Sequence, residues 1–336
     1  MMSAMLTLVT LLRDPAHAAH VAASDWTAIF SVARAEALIG TLAERLADQD
    51  VPDNVSGLFA DVRAATAVAQ KQALWEAEMC ARAHAPINVT PVLLKGTAYL
   101  AAGLNCSRGR QIGDLDILVP RARLEDVEAA LLAAGWEWLK SDPYDQAYYR
   151  DYMHELPPMM HAERDRMIDV HHTILPLTHR ITPDAATLIA GAVTVANNHH
   201  VLNVHDRIVH SAAHLFADGD LAGGLRNLWD LHCLFLDIAD WDALAMRARH
   251  HGLEAAVRRA ARLAAALYHT PIAHDWDYQN RTDTWYIRHM MARDDWGRET
   301  QTFIRLLFYM RSHWLRMPPW MLARHLWIKW RKSKTA

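Results

Sequence analysis

An α+β fold, a small mixed β-sheet core flanked by N-terminal and C-terminal helical regions, is predicted by three observations on the 336-residue chain. Apolar residues recur at three-to-four spacing through the first 85 residues and again beyond Pro183, the signature of amphipathic helices. Between Pro86 and Leu177 that pattern gives way to short apolar runs bounded by Pro and Gly, which read as strands. Only 13 Gly and 13 Pro are present, too few turn formers for a sandwich or barrel of many short strands. The chain is longer than the length at which single cores usually stop growing, so two or three lobes are expected. The boundaries fall at residues 1–85 for an N-terminal helical region, 86–180 for the α/β core and 181–336 for a C-terminal helical domain.

The elements follow in order. Met1 to Leu12 is apolar but has no basic leading region, and Arg13-Asp14-Pro15 stops it, so it reads as a first helix rather than a signal peptide. Ile29, Val32, Ala35, Leu38, Leu42 and Leu46 form one helical stripe, and Val62 to Met79 forms another beyond Pro52-Asp53-Asn54. Val92-Leu93-Leu94 and Asp114 to Val119 read as strands, with a helix over Thr97 to Leu104 between them. Leu124 to Ala134 is a helix closed by Gly135 at its C-terminal cap. Tyr148 to Leu156 and Arg166 to Ile174 are two further expected strands. Asp206 is the expected N-cap of a helix over Arg207 to Phe216, followed by an Asp218-Gly219 turn. Helices are then expected over Leu225 to Ile238, Leu253 to Tyr268 and Thr302 to Trp314.

Composition narrows the function classes. The 35 Lys and Arg nearly balance the 38 Asp and Glu, for a formal net charge of −3, which excludes a uniformly basic nucleic-acid coat or an acidic disordered tail. At 52% hydrophobic and 22% charged the chain has enough apolar surface for a packed core. Cys80, Cys106 and Cys233 are too few and too scattered for a disulfide framework, and no Cys-x-x-Cys pair suggests structural zinc. A reducing compartment and a cytoplasmic address are the expectation, since no run reaches the ~18 apolar residues of a membrane-spanning helix.

The chemistry concentrates in Leu94-Lys95-Gly96-Thr97, Arg110-Gln111-Ile112-Gly113-Asp114-Leu115-Asp116, and Asp169-Val170-His171. Residues two apart on a strand share a face, so Asp114 and Asp116 point one way while Leu115 and Ile117 turn to the core. Two adjacent carboxylates repel unless a cation neutralises them, and hard oxygen donors select Mg²⁺ or Mn²⁺. Asp169 on a neighbouring strand supplies a third carboxylate. Three such groups can hold two ions ~3.5–4 Å apart, the arrangement that clamps attacking and leaving oxygens in phosphoryl transfer. Gly96-Thr97, where strand gives way to helix, lets backbone N–H groups approach phosphates, with Lys95, Arg108 and Arg110 nearby to pair with them. An isolated Asp-x-Asp is more often a solvated strand face; the ordered combination is what points to a site.

These residues resemble the DNA polymerase beta-type nucleotidyltransferase superfamily, whose signature is a Gly-Ser step opening a helix, then Asp-hydrophobic-Asp on the next strand, then a distal Asp. More narrowly, Leu94-Lys95-Gly96, Arg110-x-x-Gly113-Asp114-x-Asp116-x-Leu118-Val119, His154-Glu155-Leu156-Pro157 and Asp169-Val170-His171 resemble a bacterial family of uncharacterised nucleotidyltransferases. The resemblance covers Val92 to Leu175 and extends more loosely over His210 to Leu234. It implies that Asp114 and Asp116 bind both metals, Mg²⁺ or Mn²⁺, while Asp169 binds one and helps activate the acceptor hydroxyl. It also implies that Gly96 and Thr97, with Lys95, Arg110 and Gly113, hold the phosphates of an NTP, ATP first among them, and that His154 and His171 contact phosphate or acceptor. Thr97 stands where Ser is commoner, which keeps the hydroxyl, and the Gly96-to-Asp114 gap is longer than the wider superfamily uses. The implied reaction moves a nucleoside monophosphate to a small-molecule or peptide acceptor. The rival readings are a nucleotide-binding, antitoxin-like homologue without turnover and a nucleic-acid-directed transferase.

Two features lie outside that signature. His210 and His214, four apart with Asp218 beyond, suggest a helical zinc pair, but Ser211 stands where His-Glu-x-x-His needs its Glu, so zinc hydrolysis is not expected. Residues 301–336 carry eight basic residues and no acid, interleaved with aromatics, so the body is acidic and residues 322–336 are the expected contact with an anionic membrane or nucleic acid.

Overall fold

A computed structural model of the chain describes residues 3–140, 142–217, 221, 224–316 and 322. Four helices come first: α1 (Ala4–Arg13), α2 (Trp26–Ala35), α3 (Ile39–Arg45) and the 32-residue α4 (Asp53–His84). The central region runs β1 (Val92–Leu93), α5 (Lys95–Ala101), β2 (Asp114–Leu118), α6 (Leu124–Ala133), β3 (Trp136–Trp138), α7 (Pro143–Tyr152), β4 (Met159–His161) and β5 (Met167–His171). There follow α8 (Ala185–Ala190), β6 (Val193–Thr194), β7 (His200–Val201), α9 (Val204–Ala217), α10 (Gly224–Leu236), α11 (Trp241–His250), α12 (Glu254–Tyr268), α13 (Asp283–Met290) and α14 (Thr302–Arg316).

The strands form one mixed sheet in the order β3-β4-β5-β2-β1-β7-β6. The predicted α+β class is therefore the observed one. At its centre β2 and β5 run parallel, with Leu115 opposite Ile168 and Ile117 opposite Val170. These four side chains are buried and form the apolar face of the sheet. The helices α9, α10 and α12 pack together, and α1 reaches across to α12, so the N-terminal helices close against the C-terminal ones. Arg164 pairs with Glu76 through two hydrogen bonds of 2.8 and 3.0 Å, tying the β4–β5 turn to α4.

Three expectations are corrected. The stripe from Ile29 to Leu46 is two helices, α2 and α3, because Ala37 adopts φ of 53° and breaks the turn; the apolar spacing continues because both helices face the same core. Tyr148 to Tyr152 is helical, the end of α7, and not strand. Asp142 caps this helix, accepting from the backbone N–H of Tyr144 and Asp145, and Pro143 occupies its first position. Tyr144, Tyr148 and Tyr152, at i,i+4 spacing, line one side of it. Only the end of the expected strand is extended: Glu155 bridges His171, and Leu156 N–H donates to the Val170 carbonyl at 2.9 Å. Finally, α9 is capped by Asn203, whose side-chain oxygen accepts from His205 and Asp206 N–H. Asp206 lies in the first turn, fully buried, paired with Arg247 of α11.

The cysteines are free and buried. Among the described residues no helix is long and apolar enough to cross a membrane. The Asp218-Gly219 turn and the basic contact assigned to residues 322–336, apart from Leu322, lie outside the described residues.

Candidate active site

Strand alternation and register assemble the acidic site. In the parallel pair, Asp114 lies opposite Met167 and Asp116 opposite Asp169. With side chains alternating, Asp114, Asp116 and Asp169 share the face opposite the apolar one. Their carboxylate oxygens come within 4.8 Å of one another. Asp116 is buried while Asp114 is exposed, so the cluster opens at the start of β2.

The three acids differ electrically. Burial opposes a charge on Asp116, but the Lys95 ammonium at 2.7 Å and the His171 imidazole at 3.0 Å outweigh it and hold that carboxyl well below the usual range. Asp114 is shifted up, first by the neighbouring Asp116 and then by burial. Asp169 is pushed up to about 7 by burial, then by Asp116 and Glu155. Lys95 balances one carboxylate, and the upward shifts of the other two register the negative charge left over. This is an oxygen-donor set with excess charge, and it fits a hard divalent cation.

The segment facing β2 is Leu94-Lys95-Gly96-Thr97. Lys95 adopts φ of 48°, a left-handed conformation uncommon for a side-chain-bearing residue, at the first position of α5. That strain accompanies the ammonium on Asp116. Gly96 is required by proximity: a Cβ there would stand 2.8 Å from Arg110 Nη1. The Arg110 guanidinium is in turn fixed by Asp230 of α10 at 3.1 Å. Asp230 also pairs with Arg226, which donates to Thr41 Oγ1 at 2.5 Å. Thr97 Oγ1 is buried with no hydrogen-bond partner among the described residues. A narrow cleft lined by Thr97, Gly113, Asp114, Arg166 and Met167 runs beside it.

His171 Nε2 donates to Asp116 Oδ1 at 3.0 Å, and its Nδ1 lies 3.5 Å from Glu155 Oε2. Burial lowers its proton affinity, but Asp116 and Glu155 reverse that and raise its pKa overall. His154 stacks obliquely on His171 with ring centroids 5.1 Å apart, and burial and then the charge on His171 push its pKa well below normal. The α9 histidines also face this region. His210 and His214 feel Lys95, His171 and Asp116, and burial drives both pKa values down, that of His214 to about 3. Among the described residues they join no group of three metal donors.

The residues singled out by the sequence motifs therefore lie around one face, except Arg108, which lines a separate cavity with Thr41, Glu44 and Trp229. Lys95, Asp114, Asp116, Asp169 and His171 surround a common point, Gly96 and Arg110 meet over the start of α5, and His154 borders the cluster through Glu155. Glu155, Asp230 and Arg226 carry structural weight; the i,i+4 spacing of Arg226 and Asp230 announces their pair but neither its burial nor its link to Arg110. Glu155 sits in the quoted His-Glu-Leu-Pro motif, whereas the 120-residue separation of Arg110 from Asp230 left no local signal.

The fold and site define an α+β protein with a three-carboxylate cluster on one face of a mixed sheet. The chain belongs to the uncharacterised nucleotidyltransferase family, whose model matches residues 22–269. That match takes in helices before the sheet and helices after it, so the family unit is larger than the sheet alone. Comparison with curated proteins gives no match.

Proposed function

We propose that the protein transfers a nucleoside monophosphate from an NTP, ATP first among the candidates, to a hydroxyl or phosphate of a small-molecule or peptide acceptor, releasing pyrophosphate. The observation that carries this reading is the convergence of Asp114, Asp116 and Asp169, in a chain of the nucleotidyltransferase family. Membership of the polymerase beta-type superfamily belongs to the same proposal. Asp114 and Asp116 would bind both ions and Asp169 one, with Mg²⁺ or Mn²⁺ favoured by the all-oxygen donor set. Bound divalent ions supply neutralisation of phosphoryl charge and a more acidic acceptor hydroxyl.

The chain's own residues do the rest. Lys95 and Arg110 bring positive charge to the phosphate side, and the missing side chain at Gly96 lets the guanidinium lie against the backbone. Thr97 offers a hydroxyl without a hydrogen-bond partner among the described residues, and Gly113 a side-chain-free approach to Asp114. Asp230 positions Arg110, while His154 and His171 border the acceptor side. The test is transfer of label from an α-phosphate-labelled NTP, with Mg²⁺, to components of a cell extract. Transfer by the wild type and its loss in Asp114→Ala are expected; transfer retained in Asp114→Ala overturns the assignment.

One observation favours a second reading. Lys95 and His171 both engage Asp116 Oδ1, so this acid is already neutralised by the protein itself, as a nucleotide-binding homologue without turnover would allow. NTP binding in calorimetry with no label transfer and no pyrophosphate release separates the two.

A further inference from the structure

We infer that His154, Glu155 and His171 form a second metal centre, suited to Zn²⁺ and distinct from the three-aspartate cluster. The backbone sets the group up. Glu155 lies directly opposite His171 in an antiparallel bridge, flanked by hydrogen bonds from Leu156 N–H to Val170 O and from His172 N–H to His154 O, each 2.9 Å. Opposed residues of such a pair extend to the same face, so the carboxylate meets the imidazole.

The distances suit a shared ion better than hydrogen bonds. His171 Nδ1 and His154 Nε2 lie 3.5 and 3.7 Å from the same Glu155 Oε2. An N–H···O bond is ordinarily about 2.9–3.0 Å. Donors held at 2.0–2.1 Å around a tetrahedral ion stand about 3.3–3.4 Å apart, so a closure of a few tenths of an ångström seats zinc on these two edges. All three donor atoms lie within 4.8 Å. The far nitrogen of His171 donates to Asp116 Oδ1 at 3.0 Å, the carboxylate support that metal-bound histidines usually have, and it leaves Nδ1 to turn its lone pair inward. The other ring nitrogen of His154, Nδ1, is buried and has no hydrogen-bond partner among the described residues, so no competing bond anchors this ring elsewhere.

Two nitrogens and one oxygen select a borderline ion such as Zn²⁺, whereas the all-carboxylate cluster selects Mg²⁺ or Mn²⁺. Three protein donors leave a fourth position for water or a substrate oxygen. Because His171 bridges to Asp116, the two centres share one hydrogen bond. This inference stands independently of nucleotidyl transfer, since it concerns occupancy alone.

The test uses the full chain stripped with chelator, held in excess Mg²⁺ and titrated with Co²⁺. Nitrogen-ligated tetrahedral Co²⁺ absorbs strongly in the visible, while octahedral Co²⁺ bound by oxygens absorbs weakly. An intense band that saturates at one equivalent and is displaced by Zn²⁺ is expected. It should be lost in His154→Gln and Glu155→Gln and kept in Asp114→Asn. Near-UV circular dichroism checks that each variant is folded. Should Glu155→Gln unfold, the half-buried His154 position carries the test. Absence of the band, its survival in His154→Gln, or its loss in Asp114→Asn would each overturn the inference. The first of these leaves a simple His171–Glu155 ion pair, and the last moves the ion to the aspartates.

Discussion

Gly96 and Arg110 show how one missing methyl group sets the phosphate side of the site. With Arg110 pinned by Asp230, a Cβ at position 96 must displace the guanidinium. Ala is the better helix former by about 1 kcal/mol, which offsets part of the cost of moving the guanidinium, so Gly96→Ala should raise KM for the NTP under conditions where the variant is still folded. Steady-state kinetics beside thermal denaturation separates the two effects, and an unchanged KM would remove Arg110 from the site. Asp169 gives a second prediction. Its folded pKa of about 7 exceeds its ordinary 3.8, so the stability it contributes is complete below about pH 4 and is lost as pH rises through about 7. A divalent ion relieves the ionised form and must displace a proton from the other. Mg²⁺ should therefore raise the melting temperature more at about pH 8 than at about pH 6, and Asp169→Asn should abolish the difference. Equal shifts at both pH values would detach Asp169 from the ion.

At the scale of elements, the central parallel pair does most to build the site; its two strands were legible in advance, their parallel pairing was not. Asp-Leu-Asp-Ile and Ile-Asp-Val-His each alternate polar and apolar, and the structure adds the register that aligns Asp116 with Asp169. The α7 segment was not legible, because its tyrosines favour strands, while the deciding signal, the Asp142-Pro143 cap, is a local one. β3 and β4, three residues each, are too short for periodicity to register. The Arg110–Asp230–Arg226 linkage was hidden for a different reason: it joins the segment before β2 to α10, and Arg226 with Asp230 alone looks like a surface i,i+4 pair. It is buried. Asp230→Ala leaves two largely buried guanidinium groups without their carboxylate and should cost about 3–5 kcal/mol in denaturant unfolding. Glu78→Ala, which removes an exposed i,i+4 pair with Arg82, should cost about 0.5 kcal/mol or less. Similar costs for the two would contradict the burial argument.

Across the whole molecule, the helices flanking the sheet are parts of the site rather than decoration. α10 supplies the acid that holds Arg110, α9 supplies His210 and His214, and α3 supplies the Thr41 hydroxyl that receives Arg226. The family match over residues 22–269 accords with that dependence, since it begins before α2 and ends after α12. Composition could not disclose this: a net charge of −3 averages an acidic body with a basic terminal stretch. The central claim is that the three aspartates, with a divalent cation, hold the phosphates of an NTP. Calorimetric titration of each of the four NTPs, with Mg²⁺ and again with chelator, tests it most directly without knowledge of the acceptor. The account predicts that at least one NTP binds only when Mg²⁺ is present and that Asp114→Asn abolishes that binding; NTP binding unaffected by chelator and by Asp114→Asn, or no binding of any of the four, would contradict it.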